Sequence, residues 1–252
     1  MHRWSVGLLS LILTTSRISV ISASLKTMAW RCSGHNNSEL VSNLEKAQIF
    51  TNPRVRETMM AVDRGDFSPR DAYMDSPQGI GYGATISAPH MHAAALEKMK
   101  DHLVDGARAL DVGSGSGYLT VCMALMAGPR GRVVGIDHIK ELKEMADENT
   151  AKHHKALLEK RVLFVEGDGR KGYPSEAPYN AIHVGAAAEH VPKELTDQLA
   201  EGGRMLIPVG KEHGGQVFLQ IDKINGELHQ KVVEHVIYVP LTNKDHQLRR
   251  GI

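Results

Sequence analysis

Residues 109–118 read Ala-Leu-Asp-Val-Gly-Ser-Gly-Ser-Gly-Tyr and are followed by the apolar run 119–127. An apolar lead-in, an acid, glycines at alternate positions and a second apolar run predict a strand, a tight turn and a helix in that order. Gly113, Ser114 and Gly115 form the turn, where missing side chains let backbone N–H groups approach a ligand and permit positive φ. The N-terminus of the helix that follows favours negative or electron-rich groups in the same space. A second apolar run, Val133-Val134-Gly135-Ile136, ends on Asp137. A carboxylate at the C-terminal tip of such a strand can accept both hydroxyls of a ribose. One nucleoside-containing cofactor would bridge the two motifs.

Spacing decides which cofactor. A dinucleotide fingerprint needs Gly-x-Gly-x-x-Gly, but the sixth position is Tyr118 counted from Gly113 and Thr120 counted from Gly115. An Asp two residues before Gly-x-Gly-x-Gly instead resembles the class I S-adenosylmethionine-dependent methyltransferases. The side chain of Asp111 itself has two readings, one bonding the N–H groups of the glycine loop and one touching the ligand.

The chain has 252 residues, 42% of them apolar, enough for one α/β domain with a sizeable core. A net charge of +1 and the absence of a Lys/Arg block give no support to a nucleic-acid partner. Cys32 and Cys122 are too few and too distant for a disulfide scaffold or a zinc knuckle and are expected as reduced thiols. Neither His90-x-His92 nor His153-His154 comes with further ligands, so no metal site is expected. Residues 1–27 form an N-terminal extension with a basic start, a short apolar run at 6–13 and small residues at 22–24. This reads either as a weak signal peptide or as an upstream extension before Met28. The apolar run falls well short of the roughly 20 residues that cross a bilayer.

Residues 28–252 are expected to form the domain, with a helical N-terminal region and a C-terminal tail over the cofactor. Amphipathic patterning predicts helices near 37–46 and 55–62. Pro77, Gly79, Gly81 and Gly83 make 71–83 read as a long loop covering a site. A helix over 93–99 follows, with Pro89 in its first turn and Ser87 at or beside its N-cap. Beyond Asp137, a helix over 140–155 precedes strands at 162–165 and 179–184. A helix over 192–200, stopped by Gly202-Gly203, then leads into a strand at 205–209. Strands at 216–221 and 232–239 flank Asn225-Gly226, a strong hairpin turn. The expected fold is α/β and Rossmann-like, a mostly parallel sheet with an antiparallel C-terminal hairpin.

Several blocks taken together closely resemble the protein-L-isoaspartate (D-aspartate) O-methyltransferases over about residues 28–247. They are Tyr73-Met74-Asp75-Ser76-Pro77-Gln78, Ala84-Thr85-Ile86-Ser87-Ala88-Pro89-His90-Met91-His92, the glycine loop, and Gly135 through Leu142. Gly167-Asp168-Gly169-Arg170, Ala177-Pro178-Tyr179, Ala181 through Ala188 and Tyr238-Val239-Pro240-Leu241-Thr242 complete the set. The resemblance implies transfer of the methyl of S-adenosyl-L-methionine to the free α-carboxylate of L-isoaspartyl residues in damaged proteins and peptides, leaving S-adenosyl-L-homocysteine. The ester then collapses to a succinimide that reopens partly to aspartate.

By the same resemblance, Ser87 is the active-site residue. Its alternative is plain N-capping. Thr85, Ile86, Ser87 and His92 are expected to line the cleft, Asp137 and His138 to hold the ribose and the adenine edge, and Asp168 with Gly169 to approach the adenine. Thr242 and Gln247 would close over the cofactor. Read on its own, His92 is a surface or capping histidine, and His183 is a satisfied core histidine. The partners expected are isoaspartyl proteins, without nucleic acid or a stable membrane span, and a cytosolic monomer is expected. Two rival readings are a class I methyltransferase with another acceptor and a non-catalytic S-adenosylmethionine-binding adaptor. Asn225-Gly226 adds a side expectation, because Asn before a flexible Gly cyclises to the imide that yields isoaspartate.

Overall fold

In the computed structural model, residues 32–212 and 214–250 are described; the 1–27 extension falls outside them. Two helices, α1 (Asn37–Lys46) and α2 (Pro53–Ala61), precede a two-stranded hairpin of β1 (Gln78–Gly81) and β2 (Ala84–Ile86). Then come α3 (Pro89–Met99), β3 (Arg108–Val112), α4 (Tyr118–Met126), β4 (Arg132–Asp137), α5 (Lys140–Lys160) and β5 (Val162–Glu166). After these follow β6 (Tyr179–Val184), α6 (Lys193–Asp197), β7 (Leu199–Val209), β8 (Gln216–Ile224), β9 (Glu227–Val236) and α7 (Lys244–Arg250).

The main sheet runs β5-β4-β3-β6-β7-β8-β9. Strands β3 to β7 pair in parallel, and β8 and β9 pair antiparallel at one side. Successive residues of each strand go to opposite faces. Ala109, Val133, Ala181, Leu206 and Phe218 join Leu40, Val55, Leu96, Leu119 and Leu142 from helices α1 to α5. Their neighbours Leu110, Val134, Ile182, Met205 and Leu219 pack on the other face with Leu195 of α6. A sheet covered on both faces explains why β3, β4 and β6 are nearly continuous apolar runs rather than alternating ones. This is the α/β, Rossmann-like fold expected from the sequence, a mostly parallel sheet with an antiparallel C-terminal hairpin.

Three elements differ from expectation. The stretch 71–83 holds β1, with Tyr82 (φ 54°) and Gly83 (φ 69°) as the two-residue turn of its hairpin with β2. The helix expected over 192–200 is only Lys193–Asp197. Strand β7 begins at Leu199 and carries Gly202-Gly203 inside it, beside a register irregularity opposite Tyr179 and Ala181. Helix α5 extends to Lys160 across a non-helical His154.

Helix α4 is buried on every side, as its unbroken apolar sequence requires. It starts from Gly117 at φ 94°, where an added Cβ would lie 3.0 Å from Phe164 and 3.1 Å from the Ala146 side chain. Gly117→Ala is therefore expected to lower stability by about 1–3 kcal/mol through the strained backbone conformation. Urea unfolding would show this as a lower midpoint at unchanged slope.

Candidate active site

Parallel strands deliver their C-terminal ends to one edge of the sheet, and the cleft lies there. Its floor is Gly113 and Gly115 after β3, Ile136, Asp137 and His138 at the end of β4, Gly169, and Gly185-Ala186 after β6. Gly83, Ala84 and Thr85 of the hairpin and Val239 to Thr242 with Gln247 of the tail complete its lining. A second cavity, lined by Arg54, Glu57, Asp105 and Gly128 among others, lies at the opposite edge, where β3 and β4 begin. It brings together none of the expected site residues.

The glycine loop is held by the neighbouring strand. Gly113 N–H and Ser114 N–H donate to Ile136 C=O at 2.8 and 3.2 Å. Gly115 N–H donates to Asp137 Oδ2 at 3.2 Å, and Ile139 N–H donates to Asp137 Oδ1 at 3.0 Å. Burial raises the Asp137 pKa above the ordinary carboxylate value, against the lowering effect of these N–H donors and of His138. Gly113 has φ 76°, and a Cβ there would meet nothing closer than 4.0 Å. The space beside the loop is thus left to a ligand rather than to packing. A Cβ on Gly185 would come within 3.2 Å of Gly113 C=O, so the two loops approach backbone to backbone.

The tail is tied down by main-chain bonds. Ala187 N–H donates to Val239 C=O and Leu241 N–H to Ala187 C=O, both at 2.8 Å. Gln247 donates through Nε2 to Tyr82 C=O at 3.1 Å, and its Oε1 lies 2.7 Å from His138 Nε2. A Cβ on Gly83 would stand 2.7 Å from Gln247 C=O, which explains a glycine at this turn.

Thr85, Gly113, Gly115, Asp137, His138, Gly169, Thr242 and Gln247 are thus brought together, and Ile86, Ser87, His92, Asp111, Ser114 and Asp168 stand outside the cleft lining. Ile86 is buried under the hairpin, and Ser114 Oγ is buried without a hydrogen-bond partner among the described residues. Asp168 caps the turn Gly169–Lys171 and pairs with Arg170 at 2.8 Å, which holds its pKa below the ordinary value. Asp111 does not bond the glycine loop; it accepts from Thr120 Oγ1 at 2.6 Å and lies 2.9 Å from His183 Nδ1. His183 is the satisfied core histidine expected.

His92 is neither surface nor cap. It is buried against Tyr118, and its Nδ1 accepts from Arg64 Nη1 at 3.2 Å. Burial first, then Arg64, His183 and His90, push its pKa well below the usual histidine value, so the ring is neutral.

Ser87 is half-buried between β2 and the N-cap of α3, which is Ala88 and makes no capping bond through its side chain. The Ser87 carbonyl accepts from Arg64 Nη2 at 2.7 Å, while its hydroxyl makes no hydrogen bond to the described residues. The capping alternative for Ser87 is therefore not what the helix start uses. Asp75 supports the same helix from outside, its Oδ1 accepting from His90 N–H at 3.0 Å and lying 2.8 Å from His90 Nδ1.

Arg64 went unremarked in the sequence. It is fully buried, stands 5.4 Å from the centre of the Tyr118 ring, and has its pKa lowered to about 10 by burial. The apolar and small cleft residues Gly83, Ala84, Gly185, Ala186, Val239 and Leu241 also carry no polar signal that sequence patterns could single out.

A family model described as protein-L-isoaspartate(D-aspartate) O-methyltransferase matches residues 35–246. The chain belongs to this family. Protein-L-isoaspartate O-methyltransferase of Caenorhabditis elegans is 62% identical over 225 residues, covering 89% of this chain and all of the relative. Protein-L-isoaspartate O-methyltransferase 2 of Arabidopsis thaliana is 51% identical over 214 residues, covering 83% and 69%. A crystal structure described as a Plasmodium falciparum protein-L-isoaspartate O-methyltransferase in complex with S-adenosyl-L-homocysteine superposes with a TM-score of 0.78 at 37% identity. It covers 83% of this chain and 99% of that one. For this protein-L-isoaspartate O-methyltransferase family member, the match takes in the hairpin, the glycine loop, Asp137 and most of the tail, the segments that build the cleft.

Proposed function

We propose that this protein is a repair methyltransferase, taking S-adenosyl-L-methionine and methylating the free α-carboxylate of L-isoaspartyl and D-aspartyl residues in damaged proteins and peptides. The observation that carries this reading is the cleft that joins the glycine loop to an acid at the β4 tip in one family member, with the unbonded Ser87 hydroxyl two residues beyond Thr85 of its lining. The groups present fit an adenosyl ligand. Asp137 offers a carboxylate for ribose hydroxyls, His138 adjoins it, and Gly113 leaves open space where a side chain would otherwise stand. Gly115, Gly169, Thr85, Thr242 and Gln247 complete the enclosure.

The bound cofactor supplies a sulfonium-activated methyl group, and an acceptor carboxylate is ionised at neutral pH. The protein therefore needs no strong base and contributes alignment and exclusion of water. Ser87 donates a hydrogen bond to the acceptor carboxylate and sets its approach. Arg64 fixes the Ser87 backbone from below, and the neutral His92 leaves Arg64 as the positive charge beneath that position. The tail, bonded to Ala187 and to Tyr82, limits water on the cofactor side. The near-balanced charge favours protein over nucleic-acid substrates. Among the described residues no helix is long and apolar enough to cross a membrane. A cytosolic monomer is the working assignment.

The test is methyl transfer to an isoaspartyl peptide beside its normal aspartyl twin, with labelled S-adenosyl-L-methionine. Label confined to the isoaspartyl form is expected; equal labelling of both, or of neither, would overturn the reading. Ser87→Ala is expected to lower kcat/KM on the isoaspartyl peptide by about ten- to a hundredfold, the worth of one hydrogen bond to a charged acceptor. Affinity for S-adenosyl-L-homocysteine should stay unchanged. Full activity in that variant would remove Ser87 from the reaction.

A further inference from the structure

The tip of the β8–β9 hairpin carries reactive chemistry that the cleft does not use. Asn225 (φ 54°) and Gly226 (φ 78°) are both left-handed, as a type I′ turn requires, and both are exposed. In an Asn-Gly pair the glycine nitrogen can attack the asparagine Cγ. The N–Cγ bond forms, the amide Cγ–Nδ2 bond breaks, and ammonia leaves with the proton from the glycine N–H. Water then opens the cyclic imide, and opening at the α-carbonyl leaves an isoaspartyl residue. Gly226 has no Cβ to hinder the attack.

Glu201 of β7 stands over this turn. Its Oε1 accepts from Asn225 N–H and its Oε2 accepts from Gly226 N–H, the latter at 3.0 Å. The attacking nitrogen is thus the donor in a hydrogen bond to a carboxylate. Cyclisation requires that nitrogen to turn toward Cγ and to give up its proton. A carboxylate acceptor opposes both, since it holds the N–H in place and its negative charge disfavours an adjacent amide anion. Gly202 at φ 72°, directly after Glu201, turns the strand at this point.

We propose that Glu201 guards Asn225 against imide formation, and that the hairpin tip is a latent isoaspartate site of this protein that opens when the Glu201 carboxylate is lost. The inference concerns the chemical lability of the turn and stands apart from methyl transfer.

The test ages full-length wild-type protein and Glu201→Gln at neutral pH without S-adenosyl-L-methionine, then maps residue 225 by peptide mass spectrometry for conversion of the amide to acid and for isoaspartate. Deamidation at Asn225 at least about fivefold faster in Glu201→Gln is expected, the ratio of about one lost hydrogen bond. Hydrogen exchange should speed up at Gly226 N–H, with the β7–β8 ladder around Leu206 and Gln220 exchanging at the wild-type rate. Equal deamidation in the two proteins would overturn the proposal. So would faster deamidation accompanied by equally faster exchange along β8, because the carboxylate would then be supporting the whole hairpin.

Discussion

Asp137→Ala is expected to weaken S-adenosyl-L-homocysteine binding by about two orders of magnitude, roughly 2–3 kcal/mol, as removal of a charged acceptor of hydrogen bonds should. Titration calorimetry on the purified variant measures it directly. The effect on folding should be much smaller. Burial raises the pKa of Asp137, so its contribution to stability is fully present below the unfolded-state pKa and is lost as pH rises through the folded one. Once ionised, the buried carboxylate is a burden on the ligand-free fold, one that ribose hydroxyl donors would relieve. Two backbone N–H groups, of Gly115 and Ile139, lose their acceptor in the variant, which limits any gain. A thermal midpoint that fell steeply while affinity held would show that Asp137 serves the loop rather than the ligand.

Arg64→Ala is expected to produce the largest loss of stability in the protein, about 3–5 kcal/mol, from the cavity left beside Tyr118 and from buried acceptors left without a donor. A typical domain has only about 5–15 kcal/mol to lose. Arg64 hydrogen-bonds the Ser87 carbonyl and the His92 imidazole rather than a carboxylate, and the buried Asp75 is near enough to feel its charge without bonding it. Arg64→Met therefore separates packing from charge. It should recover much of the stability because it refills the space and removes a guanidinium that burial already disfavours. Activity should not recover with it, since Ser87 would still lack its anchor. Chemical denaturation and turnover on an isoaspartyl peptide, measured on both variants, give the comparison. A fully active Arg64→Met would show that Ser87 needs no support from below.

These two residues mark how far the sequence could be read. Asp137 was legible because an acid at the end of an apolar strand, one helix past a glycine loop, has a fixed place in an α/β sheet. The mostly parallel sheet with its antiparallel C-terminal hairpin, the Asn225-Gly226 turn and the buried character of α4 were legible for similar reasons of periodicity and turn chemistry. Arg64 was not. It lies in Asp63-Arg64-Gly65-Asp66, a polar cluster that reads as a helix stop, and only tertiary packing reveals that its side chain turns inward.

The β1–β2 hairpin was hidden in the same way. Its turn puts Tyr82, a bulky residue, at positive φ, where Asn, Asp or Gly is the usual signal. Strand β7 starts early because its paired glycines sit in a bulged stretch of strand, whereas the same dipeptide after an apolar segment reads as a helix end. In the cleft, polar residues were foreseen and the apolar lining from the tail was not, because Val239 and Leu241 are recruited by backbone bonds to Ala187 and not by any chemistry of their own.

Strand β9 is the outermost strand on its side of the sheet, with most of its residues exposed. An uncapped strand border is a template on which another polypeptide can stack, and the usual defence is charge placed along it. Glu227, Lys231 and Glu234, with His229 and His235 between and beside them, interrupt the apolar Leu228 and Val232. Any foreign strand zipping onto this border would have to strip water from those ionic groups, so self-association and fibril growth are disfavoured where the sheet would otherwise invite them.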